Sequence, residues 1–265
     1  MLYNKVNYTT NISYLNNVFI YEYDISKANI NVLFTKGVID NATYEKLLNS
    51  ERMVRQVYVG KLCKDVEINN ILKNGIIEAK KMLFEANNIQ DNEVLSIKND
   101  AVFIINRQLK TTSFGLINFV MKNVYTSFYK INNLEVYYYY NNVNKMEYID
   151  IKGISDNKIM KHENYFLQVI KDILYSIQVN GPELTIKMIK DIYNEYITLN
   201  MPIEYYRSFD MGSNYHFKFI SNFGVGYSIE FADESQKSMI DITTNLSIIM
   251  ELQRVVVSMF FIKNK

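Results

Sequence analysis

The chain has 265 residues and a formal net charge of +1, from 29 lysines and arginines against 28 aspartates and glutamates. This balance lacks the basic excess typical of proteins that bind nucleic acid through their overall field, and leaves room only for a local basic groove. The single cysteine, Cys63, excludes an intrachain disulfide, and with only two histidines, His162 and His216, it also excludes a Cys/His zinc cluster. Any metal would therefore be bound by oxygen ligands, which Mg²⁺ and Mn²⁺ prefer.

No run of about 18 apolar residues occurs, so the sequence predicts no membrane-spanning segment. The N-terminus, MLYNKVNYTTN, lacks the basic and apolar regions of a signal peptide, so we expect a cytoplasmic location. The abundance of Asn, Ile, Lys and Tyr is typical of AT-rich genomes, including those of some phages, in which case the location is the host cytoplasm. No Gly-rich loop follows a predicted strand, which argues against Walker and Rossmann nucleotide sites.

The first half of the chain predicts a strand, then helices, then a hairpin. VFIYEY is rich in aromatic and β-branched residues, which favours a buried strand. Apolar residues at helical spacing follow, with Thr43 as an N-cap and with Gly75 weakening the second long helix. The predicted elements are a strand over 18–23, a short helix or turn over 27–34, helices over 40–62 and 66–88, and a hairpin with strands over 93–97 and 101–106.

The second half predicts one more hairpin and then mainly helices. The predicted elements are a helix over 113–130, a hairpin over 134–142 and 147–154, helices over 163–177 and 183–199, strands near 215–231, and a helix over 243–262. Strands grouped into hairpins and interrupted by helices favour an α+β fold with an antiparallel sheet over a parallel βαβ series.

Two aspartates stand at predicted strand ends. Asp24 ends the first strand, and Asp100 lies in the turn of the first hairpin. If the strand over 18–23 lies beside that hairpin, the two carboxylates meet at one edge of the sheet. Carboxylates a few Å apart raise each other's pKa unless a cation lies between them. Such a pair holding two Mg²⁺ ions is a common arrangement for phosphoryl transfer.

Simpler roles are open for each aspartate. Asp24 suits an N-cap of the following helix or a salt bridge, and Asp100 suits ordinary hairpin-turn chemistry after Asn99. If the two side chains lie far apart, the chain is better interpreted as an unrelated α+β binding domain.

The surroundings of the two aspartates resemble the palm of family B DNA polymerases. In YDISKANINVL, Asp24 takes the position of the family's first acid, and Asn29 and Asn31 stand where the family has Tyr and Ser. In RMVRQVYVGKL, Arg52 takes the position of the fingers lysine and Gln56 that of the following asparagine.

The resemblance continues to about residue 205. In VLSIKNDAVFI, Asp100 takes the second acid position of the family's Asp-Thr-Asp-Ser hairpin, whereas Lys98 replaces the first acid. LEVYYYYNNVNKMEYIDIKGI is similar to the family's basic-aromatic strand and the Lys-Gly segment before the thumb, with Lys152 and Gly153 in place. The segment before Asp24 is too short for the family's exonuclease domain.

The resemblance implies a palm-like domain over 1–155, with short helical fingers over about 36–90, and a mainly helical thumb-like region over 156–265. It implies template-directed nucleotidyl transfer with Mg²⁺ or Mn²⁺, a primer–template and nucleoside triphosphates as partners, and contact with other replication subunits. Asp24, Asp100 and the backbone carbonyl of Ile25 would hold the metals. The residues implied in substrate binding are Arg52, Arg55, Gln56, Lys61 and Asn29, and those implied in nucleic-acid binding are Lys152 and Tyr139.

Because asparagine is smaller than the family's tyrosine and can hydrogen-bond a hydroxyl, Asn29 predicts weak discrimination against ribonucleotides. Alternatives stay open for the other positions. The cations of RMVRQVYVGKL also suit a solvated helix face, and the tyrosines 137–140 also suit an amphipathic strand. The near-neutral charge favours a different function, that of an inactive polymerase-like subunit or scaffold. The retained pair of acids argues against that function.

Overall fold

The structure is a computed structural model that describes residues 1–131, 134–153, 165–198, 200–202, 205, 218–220, 226–228 and 242–262. His162 and His216 lie outside the described residues. The fold is mixed α+β with antiparallel strand pairs, as predicted. The chain divides into two compact units, of which unit 1 comprises Met1–Asn11 and Asn17–Tyr125, and unit 2 comprises Ile12–Asn16 and Thr126–Lys265. The strands between residues 126 and 153 thus belong to unit 2, whereas the sequence-based domain boundary lies near 155.

Unit 1 is a sheet with helices packed on one face. Its strands are β1 (Asn7–Thr9), β2 (Tyr14–Ile25), β3 (Val94–Lys98), β4 (Ala101–Ile105), β5 (Ser113–Phe114) and β6 (Ile117–Ile131), of which β2 and β6 also contribute residues to unit 2. The strand order is β1-β3-β4-β2-β6, with β5 paired to β6. The helices are α1 (Ala28–Thr35), α2 (Asn41–Leu48), α3 (Arg52–Leu62) and α4 (Val66–Asn87), with 3₁₀ turns at Leu2–Asn4 and Asp91–Glu93.

The core of unit 1 explains why α1 and α4 lie against the sheet. Tyr23 and Ile25 of β2 pack in one cluster with Ile76 and Leu83 of α4. Gly75 does more than weaken the helix: a Cβ added there would lie 2.3 Å from a methyl carbon of Val32, so only glycine lets α1 and α4 approach this closely.

Unit 2 contains a hairpin and long helices. Its elements are β7 (Leu134–Asn141), β8 (Met146–Lys152), α5 (Tyr165–Val179), α6 (Gly181–Ile197), β9 (Lys218–Ile220), β10 (Gly226–Ser228) and α7 (Ile242–Ile262). The end of β6 pairs with β7, and β7 pairs with β8. Its core joins Val136 and Tyr138 of β7 to Ile173 of α5 and to Leu252 and Val256 of α7.

Three sequence predictions about these elements are wrong, including Thr43 as an N-cap. The predicted helix over 40–62 is two helices, because Asn49 and Ser50 donate side-chain hydrogen bonds to the carbonyls of Glu45 (3.0 Å) and Leu47 (2.8 Å) and so end α2. Its N-cap is Asp40, whose carboxylate accepts a hydrogen bond from the Thr43 amide at 2.8 Å. The predicted helix over 113–130 is β5 and β6, in agreement with the strand preference of its aromatic and β-branched residues.

Candidate active site

A pocket of about 410 Å³ opens in unit 1 where β2 ends and α1 begins. Its lining comes from the end of β2, the start of α1, one face of α3, the turn between β3 and β4, and β6. Six of the lining residues are ones that the polymerase resemblance implicated: Asp24, Asn29, Arg52, Arg55, Gln56 and Asp100. Ile25, whose carbonyl was implicated as well, lines it too.

The two carboxylates lie side by side because β2 pairs with β4. Asp24 stands opposite Ala101, the residue that follows Asp100, in the antiparallel register. Burial, followed by the negative charge of Asp24, raises the pKa of Asp100 to about 6, and the two carboxyls are close enough to share a hydrogen bond. This site therefore holds a like-charged pair that is costly to ionise without a cation.

Lys122 supplies a cation to this pair. Its ammonium forms an ion pair with the carboxylate of Asp24, whose side chain is 18% exposed, while the lysine side chain is 54% exposed. Asp24 is thus salt-bridged and is not the N-cap of α1, because that position belongs to Lys27. Lys122 was not predicted as a site residue, because residue 122 was expected on a helix. The signal that points to it is the strand-like composition of INFVMKNVYTSFYKI.

The face of α3 that lines the pocket carries Arg52, Arg55 and Gln56 above the buried Val59. Residues three and four apart share a helix face, which explains why these side chains point the same way. The guanidinium of Arg55 donates to the carbonyl of Ser50, which holds this side chain in place, whereas Arg52 is exposed. Two arginines of α3 and two aspartates thus line the same pocket.

Asn29 and Asn31, which stand in place of the family's Tyr and Ser, have different surroundings. Asn29 is half-exposed in the first turn of α1 and lines the pocket. Asn31 is buried, donates to the carbonyl of Ser26 at 2.8 Å and accepts from the hydroxyl of Tyr44 at 2.9 Å. Asn31 therefore fixes the start of α1, and only Asn29 is placed to meet a ligand.

The remaining predicted residues do not line this pocket. Lys61 is exposed in the last turn of α3. Lys98, in the position of the family's first hairpin acid, donates to the hydroxyl of Thr9 at 3.1 Å. In unit 2, Lys152 forms an ion pair with Asp150 at 2.6 Å, and Tyr139 stacks on Tyr148 with ring centres 4.8 Å apart.

The donor set fits a divalent cation that is shared with a bound ligand. Among the described residues, no group of three or more acidic, histidine or cysteine side chains is arranged to hold a metal by itself. Mg²⁺, however, is commonly held by one or two carboxylates together with water and substrate phosphates. The carboxylates of Asp24 and Asp100 match that pattern, and Ile25 lines the same pocket.

A protein-family model described as Bacteriophage PBS1 gene 130 protein matches residues 1–258. The chain belongs to this family. The match confirms the phage origin that the composition indicated. No curated protein matches the chain. In the described part of the chain, every helix is too short or too polar to cross a membrane.

Proposed function

We propose that this phage protein is a template-directed nucleotidyltransferase whose reaction takes place in the pocket of unit 1. The observation that carries this proposal is the adjacent pair Asp24 and Asp100 facing the cations Arg52, Arg55 and Lys122. A carboxylate pair opposite phosphate-binding cations suits a nucleoside triphosphate, and the order of the elements around it resembles the family B palm. The template and primer, other replication subunits and a location in the host cytoplasm belong to the same proposal.

The carboxylates are the metal-binding part of the site. Two Mg²⁺ or Mn²⁺ ions would activate the attacking hydroxyl and stabilise the departing pyrophosphate. Asp24, Asp100 and the carbonyl of Ile25 are the groups that would hold them. Because burial and the charge of Asp24 raise the pKa of Asp100 to about 6, Asp100 must release its proton before both carboxylates bind a cation.

The cations are the phosphate-binding part. In the reaction, a hydroxyl oxygen bonds to the α-phosphorus, the bond from that phosphorus to the β-phosphate oxygen breaks, pyrophosphate leaves, and the hydroxyl proton passes to solvent. The two arginines of α3 would bind the triphosphate oxygens and stabilise the charge that develops on them. When no metal ion is bound, Lys122 neutralises Asp24. Once a metal ion takes that place, the lysine side chain can bind a phosphate oxygen.

Primer extension tests the proposal. The wild type should extend a labelled primer–template with Mg²⁺ or Mn²⁺, and D24N and D100N should each lower the rate by at least about a hundredfold, since each removes a group that binds the metal. D191N, which changes an exposed aspartate of α6, is the matched control and should keep the wild-type rate.

Folded wild-type protein that extends no primer with any nucleotide or metal would overturn the enzymatic proposal. It would favour the second function, an inactive polymerase-like subunit. That function is supported by the net charge of +1 and by Lys98 in place of the first hairpin acid. Its test is binding to a primer–template without turnover.

A further inference from the structure

Lys80 is a lysine of α4 with no exposed surface. Lysine is almost never fully buried unless it is paired, because its charge is expensive to remove from water. Its ammonium donates a hydrogen bond to the backbone carbonyl of Lys5 at 2.5 Å. Lys80 does not line the pocket, so a direct contact with substrate does not explain it.

The carbonyl that Lys80 binds belongs to a short segment, residues 5–9, that lies on the hairpin carrying Asp100. Asn99, the residue before Asp100, donates its backbone amide to the carbonyl of Val6 at 2.8 Å. The adjoining strand β1 pairs with β3, with Asn7 opposite Lys98. Segment 5–9 therefore joins the α4 ammonium to the turn that presents Asp100.

The charges of Lys80 and Asp100 also support a link between the two residues. Burial lowers the pKa of Lys80 to about 8, and the negative charge of Asp100 opposes that fall, so the side chain still carries its proton at neutral pH. Lys122, an exposed residue of β6, forms its ion pair with Asp24, whereas Lys80 is enclosed in the interior of unit 1.

We propose that Lys80 is a positioning residue for Asp100: its buried ammonium holds segment 5–9 on the hairpin turn and thereby keeps the carboxylate of Asp100 beside that of Asp24. The role in positioning the hairpin stands on the contacts alone, and the consequence for turnover rests on the function proposed above.

The structural part is tested by hydrogen exchange in the full chain. K80M replaces the ammonium with an apolar group of similar shape, so the fold should be retained. We expect the Asn99 amide to exchange at least about tenfold faster, because segment 5–9 loses its anchor. The matched control is K81M, which changes the neighbouring exposed lysine of the Lys81–Glu85 pair and should leave that rate unchanged.

K80Q is the second variant, because it removes the charge but keeps an N–H donor. We expect its Asn99 exchange rate to lie between those of the wild type and K80M. An Asn99 rate equal to that of the wild type in either folded variant would overturn the proposal.

The functional part is tested by Mn²⁺ binding and by kinetics. K80M should weaken Mn²⁺ binding, followed by electron paramagnetic resonance, by about tenfold, and should lower kcat with little change in KM for the nucleotide. If Lys80 only stabilised the fold, the kcat, the KM and the Mn²⁺ affinity of K80M would equal those of K81M. That result would overturn the proposal. A wild type that neither binds Mn²⁺ nor extends primers would instead overturn the proposed function, and the exchange result would still decide the role of Lys80.

Discussion

Unit 1 and unit 2 each enclose a polar cluster, and the two clusters differ in charge. In unit 1, the carboxylates of Asp24 and Asp100 face a pocket of about 410 Å³ and repel each other. In unit 2, the amide of Gln178 donates to Asn16 (3.1 Å), Ser127 (2.8 Å) and Tyr129 (3.2 Å). The hydroxyl of Tyr129 donates in turn to the side-chain oxygen of Asn16.

The difference separates a cluster that stabilises the fold from one that is kept at the expense of stability. Buried neutral groups that satisfy one another cost little and add specificity. Two adjacent carboxylates cost stability when the one cation paired with them among the described residues, Lys122, contacts only Asp24, and we expect such a pair beside a pocket at a ligand site. Removing the amide of Gln178 should therefore destabilise unit 2, whereas removing the charge of Asp100 should stabilise unit 1.

The largest expected effect on stability is in unit 2. Q178L should lower the free energy of unfolding by about 1–3 kcal/mol, because it leaves buried partners of the amide without their donor. Q168L, at an exposed glutamine that donates to Asp172 at 2.7 Å, is the control and should change stability by less than about 0.5 kcal/mol. Denaturant titration measures both, and equal effects would show that the network adds nothing.

A smaller effect of opposite sign is expected in unit 1. Because the pKa of Asp100 is raised to about 6, the folded state binds its proton more tightly than the unfolded state does. Wild-type stability should therefore fall as pH rises from about 4 to about 6 and should stay lower above that range.

D100N removes this dependence and should be more stable than the wild type by about 1–2 kcal/mol at pH 7, with little difference near pH 4. Thermal unfolding across that range measures it, with D191N as the exposed control. A destabilised D100N at pH 7 would mean that the carboxylate pair stabilises the fold, and the contrast between the two clusters would disappear.

The last expected effect concerns sugar choice and is bounded only from above. Asn29 lines the pocket with a short polar side chain, so we expect a preference for deoxy- over ribonucleotides of less than about a hundredfold, or under about 3 kcal/mol. Competition between the two nucleotides during primer extension measures the ratio. A much stronger preference for deoxynucleotides would show that another group selects the sugar, and N29A would then leave the ratio unchanged.

Much of the secondary structure could be predicted from local patterns. The hairpin of β3 and β4 follows from two short, mainly apolar runs on either side of Asn99, which adopts the positive φ of 54° that a tight turn tolerates in asparagine. The helix α4 follows from its apolar spacing. The strand β6 was not predicted, because its apolar pattern also fits a helix and a helix was chosen. Pairing with neighbouring strands decides between helix and strand at such a segment.

By itself, the sequence determined that an aspartate closes a strand, that a second lies in a hairpin turn, and that cations follow at helical spacing, since these depend on neighbours along the chain. Only the tertiary structure decided that β4 pairs with β2, which brings Asp24 beside Asp100, that Lys122 pairs with Asp24, and that Lys80 is buried within reach of the charge of Asp100. Those two lysines are about 20 or more residues from either aspartate along the chain. Their roles depend on strand pairing and burial, which a local pattern does not contain.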